Sequence, residues 1–235
     1  FFLVLATYTR QYFAVFFFFF LFKYFLYFSY KNFIKLFIIC VLSSLPAFYY
    51  TFLFPELLTE QHISYKALNY FLLGNTSIIC ITLYPIIFVN FIYNKIDIKK
   101  LIIPSVIALI VVFILSLNFK PVNWQGGGVN YLISQEIFDS NIYFYFTSFF
   151  TLTFFIYLSL EKKINTLLLT IIIFMFFSMQ VYQRYYDPMF FIIFFTLIKT
   201  HLIDIFHKQT KSCLMLLFYF ITYYFISISD IIYKI

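Results

Sequence analysis

From Leu101 to Leu117 the chain reads LIIPSVIALIVVFILSL, without one charged side chain. Coiled as a helix, such a run approaches the roughly 20 residues needed to cross the hydrocarbon core of a bilayer. Comparable runs cover Tyr12 to Tyr30, Leu36 to Phe54, Ala67 to Asn94 and Ile142 to Leu160, then Thr166 to Tyr182, Met189 to Phe206 and Cys213 to Ser229. Phe1 to Tyr8 reads as the last turns of a further helix. Within Ala67 to Asn94, Gly74-Asn75-Thr76-Ser77 and Pro85 are breaker signals expected to interrupt the helix. The fold expected is all-α: a polytopic transmembrane helical bundle of about eight to nine spans, one domain over 1–235, with no sustained internal repeat.

Hydrophobic residues make up 64% of the chain and charged ones 11%, which excludes an ordinary soluble domain. The formal charge of +7 would point a soluble chain toward nucleic acid, but loop lysines account for it here. Lys31 and Lys35, Lys95, Lys99 and Lys100, Lys162 and Lys163, and Lys208 and Lys211 fall in alternate loops. The intervening loops and the tail hold Arg10, Lys66, Lys120, Arg184 and Lys234. The positive-inside rule therefore places the first set in the cytoplasm and the loops between them outside. Phe and Tyr abound, with heavy Ile, Lys and Asn usage, as expected from an AT-rich genome, so no single aromatic marks a site. Cys40, Cys80 and Cys213 lie apart in apolar runs and make neither a metal motif nor a disulfide framework. The opening FFLVLATY has no Met and no basic stretch, so it reads as a truncated start and not as a signal peptide.

One outer loop stands out: NFKPVNWQGGGVNYLISQEIFDSN, from Asn118 to Asn141. It holds Trp124, the single tryptophan, and Gly126, Gly127 and Gly128. Three glycines in a row disfavour helix, and their peptide groups find no partner in lipid. Val129, Leu132, Ile133, Ile137 and Phe138 then recur three and four apart, the spacing of a short amphipathic helix at the interface or on neighbouring helices. A second outer turn, Gln183-Arg184-Tyr185-Tyr186-Asp187-Pro188, supports two readings. Asp187 can be the N-cap of a helix with Pro188 in its first turn, and Arg184 an interfacial anchor. Alternatively Arg184 presents its planar fork to a phosphate. The chain has two arginines, Arg10 and Arg184, both in outer turns, where lysine serves elsewhere. Glu56, Glu60 and His62 offer a base or metal ligand, or simply a solvated loop. Lys23 reads as snorkelling to the cytoplasmic end. Lys199, His201 and Asp204 are expected on one helix as a neutralised polar patch or a proton relay. Asn69, Asn75 and Asn90 are expected to bond between helices.

Together, Arg10-Gln11 at a span boundary, Trp124 with Gly126, Gly127 and Gly128, and Gln183-Arg184-Tyr185 with Asp187 resemble motifs of the GT-C class of polytopic glycosyltransferases. The likeness is to its alpha-1,2-glucosyltransferases that use dolichyl-phosphate-glucose, and to bacterial relatives. Tyr12 and Phe13 stand where that family's Arg-Gln-Thr-Asn motif has Thr and Asn. The resemblance implies substrate-binding roles for those ten residues, an essential acidic residue upstream of Phe1, and neither metal nor cofactor. It implies a polyprenyl-phosphate-linked sugar donor, a lipid-linked or surface glycan acceptor, membrane lipid as surroundings, and no nucleic acid. The active face would be periplasmic or lumenal, in a bacterial inner membrane or endoplasmic reticulum. Rival expectations are a transporter or respiratory-chain subunit, with paired charges deep in its spans, or a non-catalytic handler of surface polysaccharide.

Overall fold

The computed structural model describes residues 16–53, 68–93, 96–117, 119, 128–174 and 183–232. Every regular element among them is a helix. These are α1 (Phe16–Tyr27), α2 (Tyr30–Leu53), α3 (Leu68–Ile92), α4 (Ile98–Leu117), α5 (Gly128–Glu136), α6 (Ile142–Glu161), α7 (Lys163–Phe174), α8 (Gln183–Thr196), α9 (His201–Lys208) and α10 (Thr210–Ile232). Three of them, α3, α4 and α6, are long and apolar enough to cross a membrane, while α1, α7 and the Thr210–Thr222 part of α10 are apolar but shorter. On α4, Ile102, Ile103, Val106, Leu109, Ile110 and Phe113 face outward, and Pro104, Ala108 and Val112 are buried. Water does not tolerate so broad an apolar stripe on a monomer. This is a membrane protein, and that stripe is where it meets lipid.

At the centre stands α3, packed against α5, α6, α8, α9 and α10. It is buried nearly all round, as a helix apolar on every face must be. The breaker signals do not break it: α3 runs unbroken through Gly74-Asn75-Thr76-Ser77 and Pro85. Its polar side chains bond partly to their own helix and partly to neighbouring ones. Thr76 Oγ1 donates to the carbonyls of Leu72 at 2.8 Å and Leu73 at 3.0 Å. Asn75 Nδ2 donates to the Ile173 carbonyl on α7 at 2.8 Å, and Asn90 Nδ2 to the Leu202 carbonyl on α9 at 3.3 Å. Both asparagines thus bond between helices, as expected; the Asn69 side chain forms no such bond among the described residues. Among the described residues, a Cβ added at Gly74 would meet nothing within 4 Å. Gly74→Ala should therefore stabilise the protein by about 0.5–1 kcal/mol through helix propensity alone, read as a raised unfolding midpoint in detergent. A lowered midpoint would mean that the small residue is needed for packing.

Two other expectations change. The Met189 to Phe206 span is divided: α8 ends at Thr196, and α9 starts afresh at His201 behind an N-cap at Thr200. Gln183 to Pro188 is not a turn but the opening of α8, which places Asp187 inside its second turn and not at its N-cap. Pro188 sits within the same helix, which membrane helices accommodate where neighbours take up the freed carbonyl. Lys31 and Lys35, assigned above to a loop, lie in the first turns of α2. Of the thiols, Cys40 is buried, Cys80 half-buried and Cys213 exposed, all of them free.

Helix ends gather in two groups. The α1 end, the α3 end, the α6–α7 junction and the α8–α9 break meet through Lys199 above the Tyr27 ring, Asn90 to Leu202, and Asn165 to Lys199. Lys162, Lys163, Lys199 and Lys208 belong to this end. The start of α3, Phe119 after α4, α5 and the start of α6 meet at the other.

Candidate functional site

The end away from the lysines holds the richest polar cluster, and α5 builds it. Gly128 opens α5 at φ 74°, a left-handed backbone that glycine enters without the penalty of a Cβ. The chain so turned, Asn130 and Ser134 point inward, while Leu132, Ile137 and Phe138 remain exposed. The expected short helix therefore exists, with Asn130 and Ser134 toward the bundle, Leu132 exposed, and Ile137 and Phe138 exposed just beyond its end. Asn130 Nδ2 donates to the Ser77 carbonyl on α3 at 2.7 Å, and its Oδ1 accepts from the Tyr143 hydroxyl at 3.4 Å. Ser77 Oγ and Thr147 Oγ1 lie 2.7 Å apart, and Ser148 Oγ donates to the Leu73 carbonyl at 2.8 Å. Ser134 Oγ donates to the Ser140 carbonyl, closing the turn into α6 around Asp139 at φ 43°. Small hydroxyl residues at these contacts let the backbones of α3, α5 and α6 approach closely.

Aromatic rings wall the cluster. Tyr131 stands edge-on to Tyr70 at 5.6 Å and to Phe144 at 5.4 Å, and Phe119 lies 6.0 Å from Tyr70 and 5.5 Å from Tyr145. Burial raises the Tyr131 hydroxyl above the usual phenol range, so it remains a neutral donor. Tyr70 is 3% exposed, and its hydroxyl has no hydrogen-bond partner among the described residues. An unmet buried hydroxyl costs about 1–3 kcal/mol, so this position favours an added polar partner. Among described side chains, the carboxylates at this end are Glu136 and Asp139, both exposed.

Of the residues singled out from sequence, Gly128 is the one that joins this cluster. Arg10, Gln11, Trp124, Gly126 and Gly127 lie outside the described residues, as do Glu56, Glu60 and His62. Gln183, Arg184, Tyr185 and Asp187 are placed as backbone in the first turns of α8, at the same end as Gly128; their side chains lie outside what is described.

The polar patch expected around Lys199 and His201 lies at the lysine end, but its partners Glu161, Asn165 and Thr200 were not foreseen. Glu161, the last residue of α6, takes Thr200 Oγ1 at 2.6 Å, the His201 backbone N–H at 3.0 Å and His201 Nδ1 at 2.8 Å. Asn165 on α7 donates to the Leu158 and Lys199 carbonyls, each at 2.9 Å, and accepts the Lys199 N–H at 3.0 Å. Contrary to the expectation of one helix for Lys199, His201 and Asp204, Lys199 precedes α9 and lies outside it. The clue available in sequence was the polar pair Lys199-Thr200 cutting an apolar run. These contacts tie α6, α7, α8 and α9 together and require no ligand. No group of three or more metal-ligating side chains occurs among the described residues. No protein-family model matches the chain, and neither the curated proteins nor the solved structures compared with it give a match.

Proposed function

We propose that this protein is a multi-pass membrane glycosyltransferase of about eight to nine spans. It would take sugar from a polyprenyl-phosphate donor at the non-cytoplasmic face, the end away from the lysines. One observation carries the reading: the hydroxyl- and aromatic-lined cluster under α5, where the buried Tyr70 hydroxyl, beside Tyr131, is unmet among the described residues. Aromatic faces and neutral hydrogen-bonding groups suit a sugar. The isoprenoid tail would lie against the exposed apolar helix faces, with its phosphate at the interface. The acceptor hydroxyl, deprotonated by a carboxylate, attacks the anomeric carbon as the lipid phosphate leaves. Arg184 steadies the charge on that phosphate. The buried polar residues described are Asn, Ser and Thr, without the paired charges that an ion path needs, which favours this reading over transport.

The test is transfer of labelled sugar from a polyprenyl-phosphate donor in sealed membranes carrying the full-length protein. Transfer is expected when the acceptor is supplied on the face away from the lysine loops. Arg184→Lys keeps the charge and loses the bidentate fork, so the rate should fall ten- to a hundredfold, worth about 1.5–3 kcal/mol. Unchanged transfer in that variant would remove Arg184 from the reaction, and no transfer by the wild type would reject the activity.

A further inference from the structure

Beyond that reading, and at the opposite end of the molecule, α3 and α10 leave a groove between them. It has a volume of about 430 Å³ and is lined by Val89, Ile92, Tyr93, Lys211, Leu214, Met215 and Phe218. That volume falls within the roughly 300–1,000 Å³ of ordinary small-molecule sites. Its chemistry is divided along its length. Leu214, Met215 and Phe218 follow one another up α10 from Lys211 and supply hydrocarbon; Leu214 and Phe218 are exposed. Lys211 stands in the first turn of α10, facing the level where α3 ends at Ile92. Among the described residues it is the one charged side chain in the lining, and it pairs with no described carboxylate.

We infer that this groove binds an anionic phospholipid of the leaflet at the lysine end. One acyl chain lies along Leu214, Met215 and Phe218, and the headgroup phosphate sits on Lys211. Charge complementarity selects this occupant: a zwitterionic headgroup brings its own cation beside the phosphate and so gains little from the exposed ammonium, whereas an anionic headgroup offers net negative charge where the hydrocarbon ends. Basic residues between membrane helices at the cytoplasmic side recognise headgroups in this manner. Exposed Lys208, at the end of α9, adds to the local positive field. The site owes nothing to the transfer chemistry proposed above and stands or falls separately.

Phe218→Trp in a Trp124→Phe background gives the full-length protein a single tryptophan in the groove. It is reconstituted into phosphatidylcholine vesicles containing either brominated phosphatidylglycerol or brominated phosphatidylcholine at equal fraction. Phosphatidylglycerol is expected to quench the tryptophan preferentially. Lys211→Gln should reduce that preference about fivefold, the worth of one lysine beside an anionic surface. Lys99→Gln, at the same end but outside the groove, should leave it intact. Equal quenching by the two lipids, or a preference that survives Lys211→Gln, would reduce the groove to ordinary lipid contact. Quenching by neither would mean that protein fills it, as when a second copy docks there; a loss with Lys99→Gln equal to that with Lys211→Gln would make the effect a general surface charge. Each of these four results overturns the proposal.

Discussion

Asn165→Ala should be among the most destabilising single substitutions in this protein, lowering its unfolding midpoint in detergent by roughly 5–10 °C. Asn165 is fully buried and makes three hydrogen bonds, to the Leu158 carbonyl and to both the carbonyl and N–H of Lys199. Side-chain hydrogen bonds between membrane helices average about 0.6 kcal/mol each, because the separated helices also find partners. Three of them alone would give about 2 kcal/mol by that measure. The Lys199 groups, however, lie in the break between α8 and α9, where no helical ladder satisfies them. Leaving such groups unmet adds a desolvation penalty, which brings the total to about 2–3 kcal/mol. Asn165→Asp separates the two contributions. It keeps the acceptor for the Lys199 N–H but aims a carboxylate oxygen at two carbonyls, so it should be no better than alanine. If aspartate preserves the midpoint, the donor half of the side chain is not what holds the break.

This junction also shows where sequence reading stops. The apolar runs and lysine alternation are legible because they rest on transfer free energy and charge placement, which each segment carries by itself. Leu101 to Leu117 therefore shares its end with α4 and misses three residues at its start, and Ile142 to Leu160 came within one residue of α6. The division of Met189 to Phe206 is different. Leu197 and Ile198 are as apolar as their neighbours, and what ends α8 there is supplied by Asn165 and Glu161, more than thirty residues away. Breaker signals failed in the opposite sense in α3. Glycine and a polar triplet signal a turn in water, where solvent competes for the backbone. Inside a bundle Thr76 turns its hydroxyl back on its own helix and Asn75 reaches α7, so the same residues become packing and bonding positions. The candidate site was half legible: the glycine run followed by an amphipathic period located α5. That Asn130 and Ser134 would face inward, and the apolar residues outward, follows from the hydroxyl-rich surfaces of α3 and α6 that meet α5, and hydropathy does not report those.

The other large effect is expected at Glu161. Helix α9 is eight residues long, too short to hold itself by helix propensity. Its buried side is apolar, with Leu202, Ile203 and Phe206, and its first N–H groups are capped from two directions. Thr200 Oγ1 accepts the Leu202 N–H at 3.3 Å, and Glu161 accepts the His201 N–H from across the junction. The same carboxylate fixes Thr200 by its hydroxyl, so the local cap is itself held by the distant one. Hydrogen bonds to a charged group are worth about 1.5–3 kcal/mol in favourable settings. The Glu161 and His201 side chains are 23% and 45% exposed, so solvent screening brings each contact below that range, to roughly 0.5–1 kcal/mol. Glu161→Ala should then cost about 2 kcal/mol for the set of contacts, whereas Glu161→Gln, which keeps an oxygen for the His201 N–H, should lose roughly half as much. The decisive readout is local. Hydrogen exchange should speed up at Leu202 and Ile203 in Glu161→Ala and remain unchanged at Ile78 and Ile79 in the middle of α3. Were α9 to exchange at the wild-type rate, its docked apolar face alone would hold it, and the cap from α6 would be incidental.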